Sequence, residues 1–83
     1  MINLNGATAV NEEVGAAVDD MFEYHRWNED MIDRGTRVRK ALVEAVKQII
    51  ANVPPGPDRT VAIRKIREAR MDVNSAITHG GKY

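Results

Sequence analysis

The sequence predicts an all-α protein: an antiparallel two-helix hairpin, preceded by a short N-terminal helix or leader, that assembles into a homo-oligomer. Three observations predict it. Apolar residues step by four and three along two long stretches, Pro54-Pro55-Gly56-Pro57 separates those stretches, and 83 residues bury too little apolar surface for comfort as a lone domain. Cysteine is absent, so disulfides supply no staple, and thiol catalysis and Cys-based zinc sites are excluded. Self-association is the economical remedy. No apolar run has the length that spans a bilayer, and Met1-Ile2-Asn3-Leu4-Asn5 lacks the basic start and apolar core of a signal peptide, so a cytoplasmic location is expected.

Residues 1–21 read as an acidic leader and 22–83 as the hairpin domain. In the leader, Val10, Val14 and Val18 recur every four residues, which predicts a short helix over about 11–20, weakened by Gly15. Asn28 then offers an N-cap, and Glu29 and Asp30 suit the positive end of a helix dipole. That helix should run to Asn52, with Met31, Gly35, Val38, Leu42, Ala45 and Ile49 as its seam. Gly35 breaks the apolar rule and marks either a close approach or a kink. The prolines end the helix, since proline lacks the amide and disfavours helical geometry in the residue before it. Asp58 is the next N-cap candidate, and Ala62, Ile66, Ala69, Val73 and Ala76 carry the seam of a last helix over about 59–78. His79-Gly80-Gly81 stops it. A two-helix hairpin leaves Val46, Ile50, Ile63 and Ile77 partly off the seam, which predicts association through a second apolar face.

The formal net charge of zero conceals a division along the chain. Residues 1–33 hold eight acids against Arg26 alone, whereas residues 34–83 hold eleven Lys or Arg against four acids. The two parts can meet each other within or between protomers. That disfavours indiscriminate binding to long nucleic acid and leaves room for a compact anion in a local arginine pocket.

For catalysis the sequence is poor, and no enzyme is expected. His25 and His79 lie at the two ends of the hairpin unit, Ser75 has no base at nucleophile spacing, and Gly81-Lys82 lacks the strand and helix of a phosphate loop. No metal or cofactor is expected either: Glu29, Asp30 and Asp33 look like a helix start and lack histidine at ligand spacing. Recognition is better served. Phe22, Tyr24 and Trp27, three of the four aromatic residues, fall within six positions, and Arg34, Arg37 and Arg39 follow. Rings can stack on a nucleobase and guanidinium groups can hold phosphate oxygens. Tyr24 and Trp27 equally suit a hydrophobic staple at the helix start, and His25 suits fixing that start better than acting as a base. Asp30 and Asp33 stand four residues before Arg34 and Arg37, which leaves Arg39 the freest of the row. In the last helix Glu68 can pair with Arg64, leaving Arg67 and Arg70 less committed, with Asn74 on a similar face.

Phe22-Glu23-Tyr24-His25, a helix with Ile32 and Arg39, then Asp58-Arg59, Ala62, Ile66, Glu68-Ala69, Met71, Asn74 and Ala76-Ile77 resemble the hairpin domain shared by the phage anti-CBASS and Thoeris anti-defence sponge proteins. The resemblance covers about residues 22–78. It implies a compact homohexamer of helical hairpins in the host cell cytoplasm, which sequesters cyclic dinucleotides or related cyclic nucleotide signals without cutting them. It further implies that Tyr24 stacks on a base of a cyclic dinucleotide and that Arg39 holds the ligand, with Arg59, Arg67 and Asn74 lining a second pocket for larger cyclic oligonucleotides; His25 and Trp27 join them as candidate ligand-binding residues. Met71-Asp72 departs from the Met-Trp common in that family, and the leader is longer. Two alternatives stand beside this reading. One is a small helical homo-oligomeric adaptor or antitoxin-like interaction module. The other is a DNA-binding helical dimer, against which the proline-rich turn argues.

Overall fold

The computed structural model describes residues 4–83 and is all-α. After a single 3-10 turn at Leu4–Gly6 come three α-helices: α1 (Glu12–Phe22), α2 (Glu29–Asn52) and α3 (Pro57–His79). The first three positions of the expected leader lie outside the described residues.

Helix α1 starts where its cap is. The Asn11 side chain accepts from the Val14 amide at 2.8 Å, and Glu12 and Glu13 occupy the first turn, where carboxylates meet the dipole favourably. It runs to Phe22, two residues beyond the expected end at residue 20, so Phe22 closes the leader helix instead of opening the hairpin unit. Glu23 then turns extended while its amide still bonds to the Asp19 carbonyl.

Helix α2 has the bounds its pattern predicts. Asn28 accepts from the Met31 amide at 2.9 Å, and Val53 leaves helical geometry just ahead of Pro54. Helix α3 corrects the expectation at its start. Pro57 is the first helical residue and Gly56 the cap, so Asp58 lies inside the first turn and caps nothing through its side chain. The reason is proline's fixed φ and missing amide, which cost nothing at the first helical position. Its stop is as expected: Gly80 takes the left-handed conformation at φ 61° and Gly81 follows at φ 77°. The Gly81 amide reaches back to the Ala76 carbonyl at 3.0 Å, closing the last turn.

Helices α2 and α3, of 24 and 23 residues, pack against each other as a hairpin. Its two ends are pinned differently. At the open end the Trp27 indole N–H donates to Thr78 Oγ1 at 2.8 Å, and the Thr78 hydroxyl donates to the Asn74 carbonyl at 2.8 Å. At the turn end Arg59 Nη1 donates to the Val53 carbonyl at 3.4 Å. Between them the seam is made by Met31, Val38, Leu42, Val46 and Ile49 facing Ala62, Ile63, Ile66, Ala69, Val73 and Ile77, all half-buried. Ala45 falls on the exposed side and Val46 takes its place in the seam. Gly35 is a close-approach point: the Trp27 ring lies over it, so that a Cβ there would collide with Cζ3 and stand 2.8 Å from Cη2.

The shape is a thin slab of 51 × 33 × 17 Å. Its radius of gyration is 16.8 Å, where a compact domain of this length has roughly 12 Å. Among the described residues no apolar side chain is fully buried, and Gly35 is the one residue buried as a whole. No helix among them is long and apolar enough to cross a membrane.

Candidate functional site

The packing of α2 on α3 opens a groove on each side of the seam, because at about 100° per residue the positions three and four apart that build the seam leave flanks on either hand. One flank is a small groove of about 200 Å³ lined by Trp27, Ile32, Gly35, Thr36 and Arg39 from the α2 side and by Arg70 and Asn74 from α3. The other is a broader and mostly apolar groove of about 600 Å³, which Val38, Val73, Ala76 and Ile77 line and Arg34 and Arg37 rim.

The smaller groove gathers the chemistry. Arg39 and Arg70 come from different helices, and among the described residues neither forms an ion pair or hydrogen bond. Asn74 is half-buried, with its backbone carbonyl used by Thr78 and its side-chain amide uncommitted. Two cations and an amide beside Ile32 and Trp27 are residue types that can hold an anion attached to a flat polar group. Arg34, by contrast, is held at 2.9 Å by Asp30, the i, i+4 pair anticipated from spacing. Asp33 makes no such pair with Arg37, which instead rims the broader groove.

The remaining candidates are scattered. Trp27 borders the small groove, yet its ring is committed to Gly35 and its N–H to Thr78. Tyr24 lies in the extended link between α1 and α2, is 90% exposed and lines neither groove. Arg59 sits at the turn end of the hairpin, far from Trp27 and Thr78 at the open end. Arg67 lines a separate hollow of about 400 Å³ with Arg64, Glu68, Arg70 and Met71, so Arg70 is shared between the two basic surfaces. Spacing marks Arg70 as one of the less committed arginines of α3, but not its meeting with Arg39. Its partner Arg39 stands 31 positions earlier, and only the hairpin's register joins them. Asp72 belongs to neither arginine surface: it borders a hollow with Ser75, Ala76, His79 and Tyr83.

His25 and His79, separated in the sequence, meet because an antiparallel hairpin brings the start of α2 beside the end of α3. Their rings stand edge to face with centroids 5.1 Å apart, and the Tyr83 ring packs on His79 at 5.2 Å. Asp20, from the last turns of α1, is their common partner. His25 Nε2 is 2.8 Å from the Asp20 carbonyl oxygen and 3.3 Å from its Oδ1, Tyr83 donates its hydroxyl to Oδ2 at 2.8 Å, and Lys82 Nζ stands 3.7 Å from the same oxygen. The hydroxyl of Tyr83 above all holds the Asp20 carboxyl below the ordinary aspartate value; lost hydration opposes it, and the charges of Lys82, His25 and His79 add lesser lowering effects. The same bond pushes the Tyr83 phenol above its ordinary value. This clasp fixes α1 to the hairpin.

The fold and its groove together define a small all-α hairpin protein with an anion-suited flank. No family model matches the chain, and no curated protein or solved structure matches it.

Proposed function

We propose that this chain is a non-catalytic phage immune-evasion protein that binds and sequesters cyclic nucleotide second messengers of bacterial anti-phage signalling. Cyclic di- and oligonucleotides are its ligands, with cyclic ADP-ribose isomers as further candidates. The observation that carries the reading is the convergence of Arg39, Arg70 and the Asn74 amide on one groove, drawn from two helices and free of internal partners.

That groove, at about 200 Å³, is smaller than the roughly 300–1,000 Å³ of sites that enclose small molecules. One chain therefore offers part of a site, and a second copy completes it. The surface supports this. The chain exposes 6761 Å², about 1,800 Å² more than a compact monomer of its mass. That excess is about twice the ~800 Å² each partner buries in a standard interface. The mostly apolar groove of Val38, Val73, Ala76 and Ile77 is the face for a second protomer, and assembly up to a hexamer is consistent with the thinness of the slab. Tyr24, with its ring in solvent, stacks on a base held mainly by a neighbouring copy.

Isothermal titration with a panel of cyclic dinucleotides, cyclic trinucleotides and cyclic ADP-ribose isomers tests the function; no heat from any member refutes it. Tyr24→Ala and Arg39→Ala should each weaken binding by about 1–3 kcal/mol with helicity intact. Arg59→Ala, at the turn end, should leave dinucleotide affinity unchanged. A second reading, an adaptor or antitoxin-like module, is favoured by the exposure of Phe22 and Met71, at 85% and 70%. Recovery of one stoichiometric protein partner, with no nucleotide released on denaturation, would decide for it.

A further inference from the structure

The proposed ligand groove makes no use of the cluster that joins α1 to the end of α3, and that cluster has the makings of a different site. We infer that Asp20, His25 and His79 form a binding site for a divalent transition cation of the zinc type, tying the N-terminal helix to the hairpin. Their ligating atoms all lie within 4.8 Å of one another. One separation already has the value a tetrahedral ion requires: donors bonded to zinc at ~2.0–2.1 Å sit about 3.3 Å apart, and His25 Nε2 stands 3.3 Å from Asp20 Oδ1. His79 Nδ1 stands 3.8 Å from the other carboxylate oxygen, Oδ2, so a turn of the carboxyl brings one oxygen between the two rings.

The second observation is His79 itself. Its side chain is only 8% exposed, its Nδ1 points at Asp20 from beyond hydrogen-bond reach, and no hydrogen bond to its ring forms among the described residues. A largely shielded imidazole whose Nδ1 is turned toward a carboxylate, with no protein group bonded to it, is suited to a ligand between the two. Two imidazoles and one carboxylate select borderline ions such as Zn²⁺ over Mg²⁺ or Ca²⁺, which prefer all-oxygen shells, and three protein ligands leave the fourth position to water.

The neighbours suit the ion with two adjustments. Tyr83, donating to Asp20 Oδ2 at 2.8 Å, holds the carboxylate in place from outside the coordination shell. His25 lies in the non-helical link and can shift by the ångström or so that closure needs, whereas His79 is held in the last turn of α3. On binding, His25 gives up the bond its Nε2–H donates to the Asp20 carbonyl oxygen and takes the tautomer with its single proton on Nδ1, freeing the Nε2 lone pair for the metal. Lys82, largely exposed, withdraws its ammonium from Asp20 into solvent. The result is a staple of the sort small domains without disulfides use.

The test is titration of the full, tag-free chain with Zn²⁺ and Co²⁺. The expected result is one ion bound per chain, a rise in Tm, and with Co²⁺ the intense visible bands of a four-coordinate ion. His25→Ala and His79→Ala should each lower affinity at least about tenfold, the scale on which even outer-sphere partners act, while Glu12→Gln leaves it unchanged. A Co²⁺ spectrum that stays that of the aqueous ion, or wild-type affinity in both histidine variants, overturns the site. Should a variant fail to fold, the wild-type chain decides by NMR. The imidazole resonances of His25 and His79 must shift together with Zn²⁺, and movement of neither overturns the proposal.

Discussion

Of the glycines, Gly35 alone has no room for a side chain, because the Trp27 ring lies against its α-hydrogen. Alanine is the better helix former by about 1 kcal/mol, so on propensity alone Gly35→Ala should stabilise α2. The Trp27 ring reverses the sign. A methyl group cannot enter beside Cζ3 and Cη2 without expelling the indole and breaking its bond to Thr78, so we expect a net loss of about 1–3 kcal/mol in a urea melt. Asp20 supplies the second expectation at this scale. Its carboxyl is lowered from 3.8, chiefly by the Tyr83 hydroxyl, so the clasp contributes fully above that value and is lost as pH falls through the lowered one. The phenol is raised from 10.0, so its donated bond persists up to that value and is lost as pH climbs through the raised one. Amide chemical shifts of α1 followed against pH should show a plateau bounded by these two limits. Tyr83→Phe should move the acid boundary back toward that of an ordinary aspartate.

At the scale of elements, the hairpin was legible and its ends less so. The seam of α2, its Asn28 cap, the proline break and the Gly80-Gly81 stop are each local chemistry that a short window of sequence contains. The start of α3 was misread by one turn's logic: Asp58 is a good cap in isolation, but Pro57 outranks it because the first helical position suits proline so well. The end of α1 was misread by two residues, where no glycine or proline marks the boundary. The candidate site was half legible. Arg39 stood out because no acid precedes it at helical spacing, and Asn74 because it follows Arg70 by four, but that the two line one groove depends on register between helices. The same non-locality hid the meeting of His25 with His79. Trp27→Phe probes this scale directly. It removes both the N–H bond to Thr78 and the outer indole atoms Cζ3 and Cη2 that lie over Gly35, so it should cost about 1–3 kcal/mol by chemical denaturation.

For the whole molecule the governing feature is thinness. A slab 17 Å deep is little more than one layer of helices, and two layers are what a stable core ordinarily requires. We therefore expect sedimentation to find a multiple of the chain mass at micromolar concentration, with Ala76→Glu, an exposed position of the broad groove outside the seam, shifting it toward the single chain. A wild-type chain that sediments alone would remove the composite site from the proposed function. Since no apolar side chain among the described residues is wholly sheltered within one copy, its helical hydrogen bonds open readily and shield amides from deuterium only briefly. Label uptake by α2 and α3 should then slow as the solution is concentrated and quicken on dilution, so that the pace of isotope exchange gauges how much company each copy keeps.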